Sequence, residues 1–132
     1  MKSLDLLGIP LEGTHLIEAS AGTGKTYTIA SLFIRLLLEK SLHVREILVV
    51  TYTEPATEEL KTRVREKIRA AARAFAEGIS GDPFLNDLLN RFERHDHAVE
   101  ILEFALRRFD EAAIFTIHGF CSRVLSEMAF ES

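Results

Sequence analysis

The densest chemistry in this 132-residue sequence lies in Ala19-Ser20-Ala21-Gly22-Thr23-Gly24-Lys25-Thr26. Gly22 and Gly24 let the backbone turn its N–H groups inward, and a cation and a hydroxyl follow directly. That order suits a chain of phosphates. The N–H groups and the positive start of a following helix cradle a β-phosphate, Lys25 reaches the β- and γ-phosphates, and the Thr26 hydroxyl takes a place on Mg²⁺. The stretch departs from the phosphate-loop pattern only at Ala19, where a first glycine usually stands. Lys25 is thus the candidate catalytic residue, residues 19–26 the candidate nucleotide cradle, and Thr26 the candidate magnesium ligand.

A second set of polar groups sits at the ends of two apolar runs, Thr51 and Thr53 in "ILVVTYT" and Thr116 and His118 in "FTIHGF". Open α/β sheets present ligand-facing groups at the carboxyl ends of their strands. Short hydroxyls and backbone N–H groups there suit contact with a phosphodiester backbone, and Tyr52, Phe120 or His118 can stack on a base. Each also has a structural reading. Threonine favours strands in any case, and a single histidine is commonly a capping or core residue. Lys61, Arg65, Arg69 and Arg73 recur every four residues and could track phosphates, but Glu58, Glu66 and Glu77 beside them favour a solvated helix face. His95 and His97 straddle Asp96 without a further ligand nearby, which favours an interhelical turn over a metal site. Cys121 is expected to pack as a small apolar residue.

The elements that must hold these groups alternate between strand and helix. "HLIEA" (15–19) is a strand candidate that feeds, through the glycine loop, a helix over 27–40 with Ile29, Leu32, Phe33, Leu36 and Leu37 at helical spacing. Residues 46–53 form the clearest strand, and their all-apolar centre predicts burial on both faces. A long amphipathic helix follows from Pro55 and Thr57, burying Leu60, Val64, Ile68 and Phe75 and stopping at Gly78. Residues 80–111 read as two helices joined near His95. Residues 112–120 return to strand character before a last helix. This alternation with long crossovers predicts an α/β fold with a parallel sheet.

Composition sets the remaining bounds. With 47% apolar residues the chain can build the core of one domain. Its net charge of −4 gives no bulk attraction to nucleic acid, so any such contact must come from placed groups. The single cysteine excludes an internal disulfide and a cysteine zinc cluster, in keeping with a reducing cytoplasm. No run of about twenty apolar residues marks a membrane span.

Taken in order, "EASAGTGKT", "ILVVTYTEPATEELKTRV" and "AAIFTIHGFCSRVL" resemble motifs I, Ia and Ic of superfamily 1A DNA helicases of the UvrD/Rep type. The resemblance runs from about Leu11 to Glu131 and is strongest to the helicase–nuclease branch, the exodeoxyribonuclease V type. It implies a RecA-like P-loop NTPase fold, with residues 1–132 as an incomplete motor domain 1A and 80–111 as a helical insert. It implies ATP and Mg²⁺ as cofactors at Gly22, Thr23, Gly24, Lys25 and Thr26, and single-stranded DNA contacts near Thr51, Thr53, Thr116 and His118. Two companion subunits and a bacterial cytoplasmic location follow from the same resemblance. Relatives read adenine with an upstream glutamine, near which this chain has Glu12, whose carboxylate accepts a hydrogen bond but donates none. An acidic magnesium-holding strand, an arginine finger, a second motor domain and a nuclease domain are missing. The chain is therefore expected to be part of a longer polypeptide and inactive alone. Two alternatives remain open, a small P-loop phosphotransferase with 80–111 as a substrate lid, and a non-enzymatic module that docks partner subunits.

Overall fold

The structure is a computed structural model and describes residues 23–131. Helix α1 (Thr23–Glu39) leads through a 3-10 turn at Val44–Glu46 into strand β1 (Leu48–Thr51). Helices α2 (Glu54–Glu77), α3 (Pro83–Arg91) and α4 (His95–Arg107) cross over to strand β2 (Ala113–Thr116), which runs straight into α5 (Ile117–Glu131). The two strands pair in parallel, Leu48 opposite Ala113 and Thr51 opposite Thr116. The result is a mixed α/β arrangement, a two-stranded parallel sheet flanked by helices.

Local chemistry sets the boundaries. Thr53 caps α2 by accepting a hydrogen bond from the Ala56 N–H at 3.2 Å, and Pro55 sits in the first turn, where a missing N–H costs nothing. Gly78 ends that helix with φ 79°, a left-handed conformation that favours glycine. Asp82 caps α3 by accepting from the Phe84 and Leu85 N–H groups, with Pro83 next in line. Helix α4 has no side-chain cap and is held by packing, chiefly on α2.

One continuous core joins these pieces. Phe33, Ile34 and Leu37 from α1 meet Val64 and Ile68 of α2, Leu85 and Leu88 of α3, Leu102 of α4 and Ile114 of β2. Helix α1 is buried on almost every side, and even Arg35, 3% exposed, lies within it with its guanidinium paired to Glu39.

Two expectations from sequence need correction. The apolar run at 46–53 is a strand only over Leu48–Thr51, and it is not covered evenly, because Val49 and Thr51 face the helices while Leu48 is 37% exposed. The strand expected over 112–120 stops at Thr116. Thr116 Oγ accepts from the Gly119 N–H at 3.0 Å, a helix cap that turns Ile117 and His118 into α5. The two helices joined near His95 are present as expected, meeting over residues 92–94. The strand candidate at 15–19 lies outside the described residues.

Candidate nucleotide and nucleic-acid site

Thr51 and Thr116 are register partners at the carboxyl end of the sheet, so the two motif segments leave it side by side. Their hydroxyls point inward. Thr51, 2% exposed, shares a short hydrogen bond with the hydroxyl of Thr57, itself 3% exposed, and Thr57 in turn donates to the Thr53 carbonyl at 3.1 Å. Thr116 is 8% exposed and occupied in capping α5. The groups presented outward at this edge are Thr53, Tyr52 and His118, all exposed, with Thr53 at the start of α2 and His118 in the first turn of α5. Thr51 and Thr116 thus brace the two turns from beneath, while Thr53 and His118 form their surface.

Of the nucleotide cradle, Ala19, Ser20, Ala21 and Gly22 lie outside the described residues, as does Glu12. Thr23, Gly24 and Lys25 form the opening turn of α1, which holds no acidic residue to compensate its positive end. Thr26 follows, half-buried, and lines a groove of about 340 Å³ between α1 and α2. Across the groove stand Glu59, Arg63, Glu66 and Lys67 of α2. Glu59 and Lys67 lie five and thirteen residues into α2, so this side of the groove runs from roughly 8 Å to roughly 20 Å along the helix at 1.5 Å per residue. A helix whose first turn carries no acidic residue, followed by a threonine hydroxyl, is a donor set that fits a magnesium-bound phosphate chain.

Beside Thr26, Tyr27 carries a cluster that sequence reasoning missed. Its hydroxyl donates to Asp82 Oδ1 at 2.9 Å, and Lys67 Nζ makes a short ion pair with Asp82 Oδ2 while lying 4.1 Å from the Tyr27 ring centroid. Partial burial, together with the Asp82 carboxylate that takes its hydrogen bond, pushes Tyr27 up to about 12. Burial opposes the charge on Asp82, yet the hydrogen bonds from Lys67 and Tyr27 outweigh it and hold the carboxyl below its ordinary range.

Three other candidates, Lys61, Arg65 and His95, make structural contacts. Lys61 pairs with Glu58, and Arg65 lies over the Phe109 ring at 5.0 Å, so these two members of the basic stripe serve the helix surface. His95 Nε2 donates to the Leu89 carbonyl at 2.9 Å and its ring meets Phe75 edge-on. Among the described residues no three histidine, cysteine or acidic side chains group to hold a metal ion. Cys121 is exposed on α5, contrary to the packed position expected for it. No helix among the described residues is long and apolar enough to cross a membrane.

Comparison with known proteins adds to this geometry. The chain is 48% identical to the RecBCD enzyme subunit RecB of Escherichia coli strain K12, over 99% of this chain and 12% of that protein. It is 49% identical to the RecB subunit of Haemophilus influenzae, over 98% of this chain and 12% of the relative. Identity to the RecB subunit of Chlamydia trachomatis is 37%, over 96% and 13% respectively. The chain thus spans about an eighth of the length of these curated relatives. The UvrD/REP helicase N-terminal domain profile matches residues 7–132, and the chain belongs to that family.

Proposed function

We propose that this chain is part of motor domain 1A of a RecB-like DNA helicase–exonuclease subunit, a RecA-like P-loop domain that binds ATP and Mg²⁺ and grips single-stranded DNA. In this reading residues 80–111 are a helical insert, and the full-length parent is an ATP-dependent enzyme that unwinds DNA at double-strand breaks, alongside RecC-like and RecD-like subunits in the bacterial cytoplasm. The family match favours neither a small phosphotransferase nor a non-enzymatic docking module.

The observation that carries the reading is the register of Thr51 against Thr116. It supports a continuous surface made of the Thr53 turn and the His118 turn, suited to a phosphodiester backbone. Lys25 and Thr26 lie at the start of a helix that packs on α2, the helix that begins at the Thr53 turn. Lys25 would neutralise charge developing on the transferred phosphate, and Thr26 would hold the magnesium ion that bridges the phosphate oxygens. Because α2 starts at the Thr53 turn and then passes Thr26, one rigid helix links the two contacts.

Equilibrium binding of the full-length parent to oligo-dT and to a mixed-sequence strand tests the grip. Replacing Thr53 and His118 together with alanine should weaken both about equally, since backbone contacts carry no base information. Undiminished binding to both strands would remove this surface from the DNA path.

A further inference from the structure

We infer that Asp82, Lys67 and Tyr27 form a clamp that positions the first turn of α1, and with it Thr26, against α2. The cluster joins three elements far apart in the chain. Tyr27 belongs to the turn that carries Thr26, Lys67 lies deep in α2, and Asp82 is the cap of α3. The two oxygens of one carboxylate divide the work: Oδ1 accepts from the Tyr27 hydroxyl and Oδ2 pairs with Lys67. Lys67 closes the triangle by lying over the Tyr27 ring at 4.1 Å, and it is only 9% exposed. A buried ammonium needs a fixed partner, and a carboxylate already oriented by the α3 backbone N–H groups supplies one.

This arrangement suits positioning rather than surface decoration. The opening turn of a helix lacks half its backbone hydrogen bonds and frays most easily. Tyr27 is the first side chain after Thr26 and ties that turn to two other helices, so the direction of the Thr26 hydroxyl depends on the clamp. The three residues are therefore positioning residues for the magnesium-holding threonine. This inference rests on the proposed role of Thr26, and its test separates the two.

The experiment uses the full-length parent protein and two readouts. Amide hydrogen exchange over residues 25–30, without nucleotide, reports the clamp itself. The Mg²⁺ concentration that half-saturates binding of a fluorescent ADP analogue reports its effect on the site. Asp82→Ala and Lys67→Met should speed exchange in that turn about tenfold and raise the Mg²⁺ requirement by a comparable factor, as loss of groups that orient a metal ligand does. Amides around Leu102 should keep their rate, which a general loss of fold would not allow. Tyr27→Phe, which removes one partly exposed hydroxyl and keeps the ring, should speed exchange about threefold to fivefold, and Lys67→Arg should restore both readouts. Unchanged exchange over 25–30 in Tyr27→Phe and Lys67→Met, or equal acceleration throughout the chain, overturns the clamp. Lys25→Ala serves as the control for the site: if it leaves ATP hydrolysis intact the nucleotide reading fails, while the exchange data still decide the clamp.

Discussion

The buried threonine pair beneath the Thr53 turn makes a quantitative test of how that turn is held. Thr57 donates to the Thr53 carbonyl at 3.1 Å, so the short contact between the two hydroxyls is supplied by the Thr51 proton. Thr51→Val keeps the shape of the side chain and leaves Thr57 with its acceptor. The expected cost is the net worth of one hydrogen bond, about 1 kcal/mol. Thr57→Val is worse, because the Thr51 hydroxyl must then turn to the Thr53 carbonyl at 3.3 Å or the Phe115 carbonyl at 3.4 Å. Both contacts are long for a hydroxyl donor, and a buried hydroxyl left poorly satisfied costs roughly 1–3 kcal/mol. Valine and threonine have similar helix propensity, so position 57 adds little of its own. In the double variant no buried hydroxyl remains, and the Thr53 carbonyl still accepts from the Thr57 backbone N–H at 3.0 Å. Its total cost should therefore fall short of the sum of the single variants by about 1 kcal/mol. Urea unfolding followed by circular dichroism gives all three values. Additive costs, within the ~0.5 kcal/mol expected of independent sites, would refute the shared network.

Further consequences follow from particular contacts. A Cβ at Gly119 would sit 3.0 Å from the Thr116 hydroxyl that caps α5, so Gly119→Ala should forfeit the ~1 kcal/mol that alanine normally adds inside a helix. Thermal unfolding that shows the full gain would mean the cap is not fixed. Asp82 titrates below its ordinary value of 3.8, so folding favours its charged form. Its contribution is complete above that ordinary value and is lost as pH falls through the lower, folded one. The melting-temperature advantage of the wild type over Asp82→Asn should accordingly shrink on acidification below about pH 4, the ordinary carboxylate range. A gap that stays constant with pH would detach the carboxylate charge from stability.

Much of this architecture was legible in the sequence because it is written in short-range signals. The α2 helix announces itself through Pro55 and Gly78, which do in the structure what their types suggest, although the acidic residue of its first turn is Glu54 and not the glutamates after the proline. The turn between α3 and α4 was equally plain. What misled were residues whose role depends on distant partners. Thr51 reads as a polar strand end, but Thr57, six positions on, returns beneath it on α2 and closes it off from solvent. His118 reads as the end of a strand, since "AAIFTIHGF" is largely apolar with β-branched Ile114, Thr116 and Ile117, yet the Thr116 cap starts a helix at Ile117. The clamp had almost no sequence signature. Asp82 before Pro83 is a recognisable helix start, but nothing in the chain joins it to Lys67, 15 positions away, or Tyr27, 55 away. Only packing of α1, α2 and α3 brings them together.

The central claim is that the segment around Lys25 drives a DNA-dependent motor by acting on ATP. The most direct measurement is steady-state ATP hydrolysis by the full-length parent, with and without single-stranded DNA, in the wild type and in Lys25→Ala. Removing a group that stabilises transition-state charge costs on the order of 10²–10³ in turnover. The account predicts a DNA-stimulated rate in the wild type and a loss of that order in the variant, with circular dichroism and single-strand binding unchanged. Hydrolysis at the wild-type rate in Lys25→Ala would contradict it.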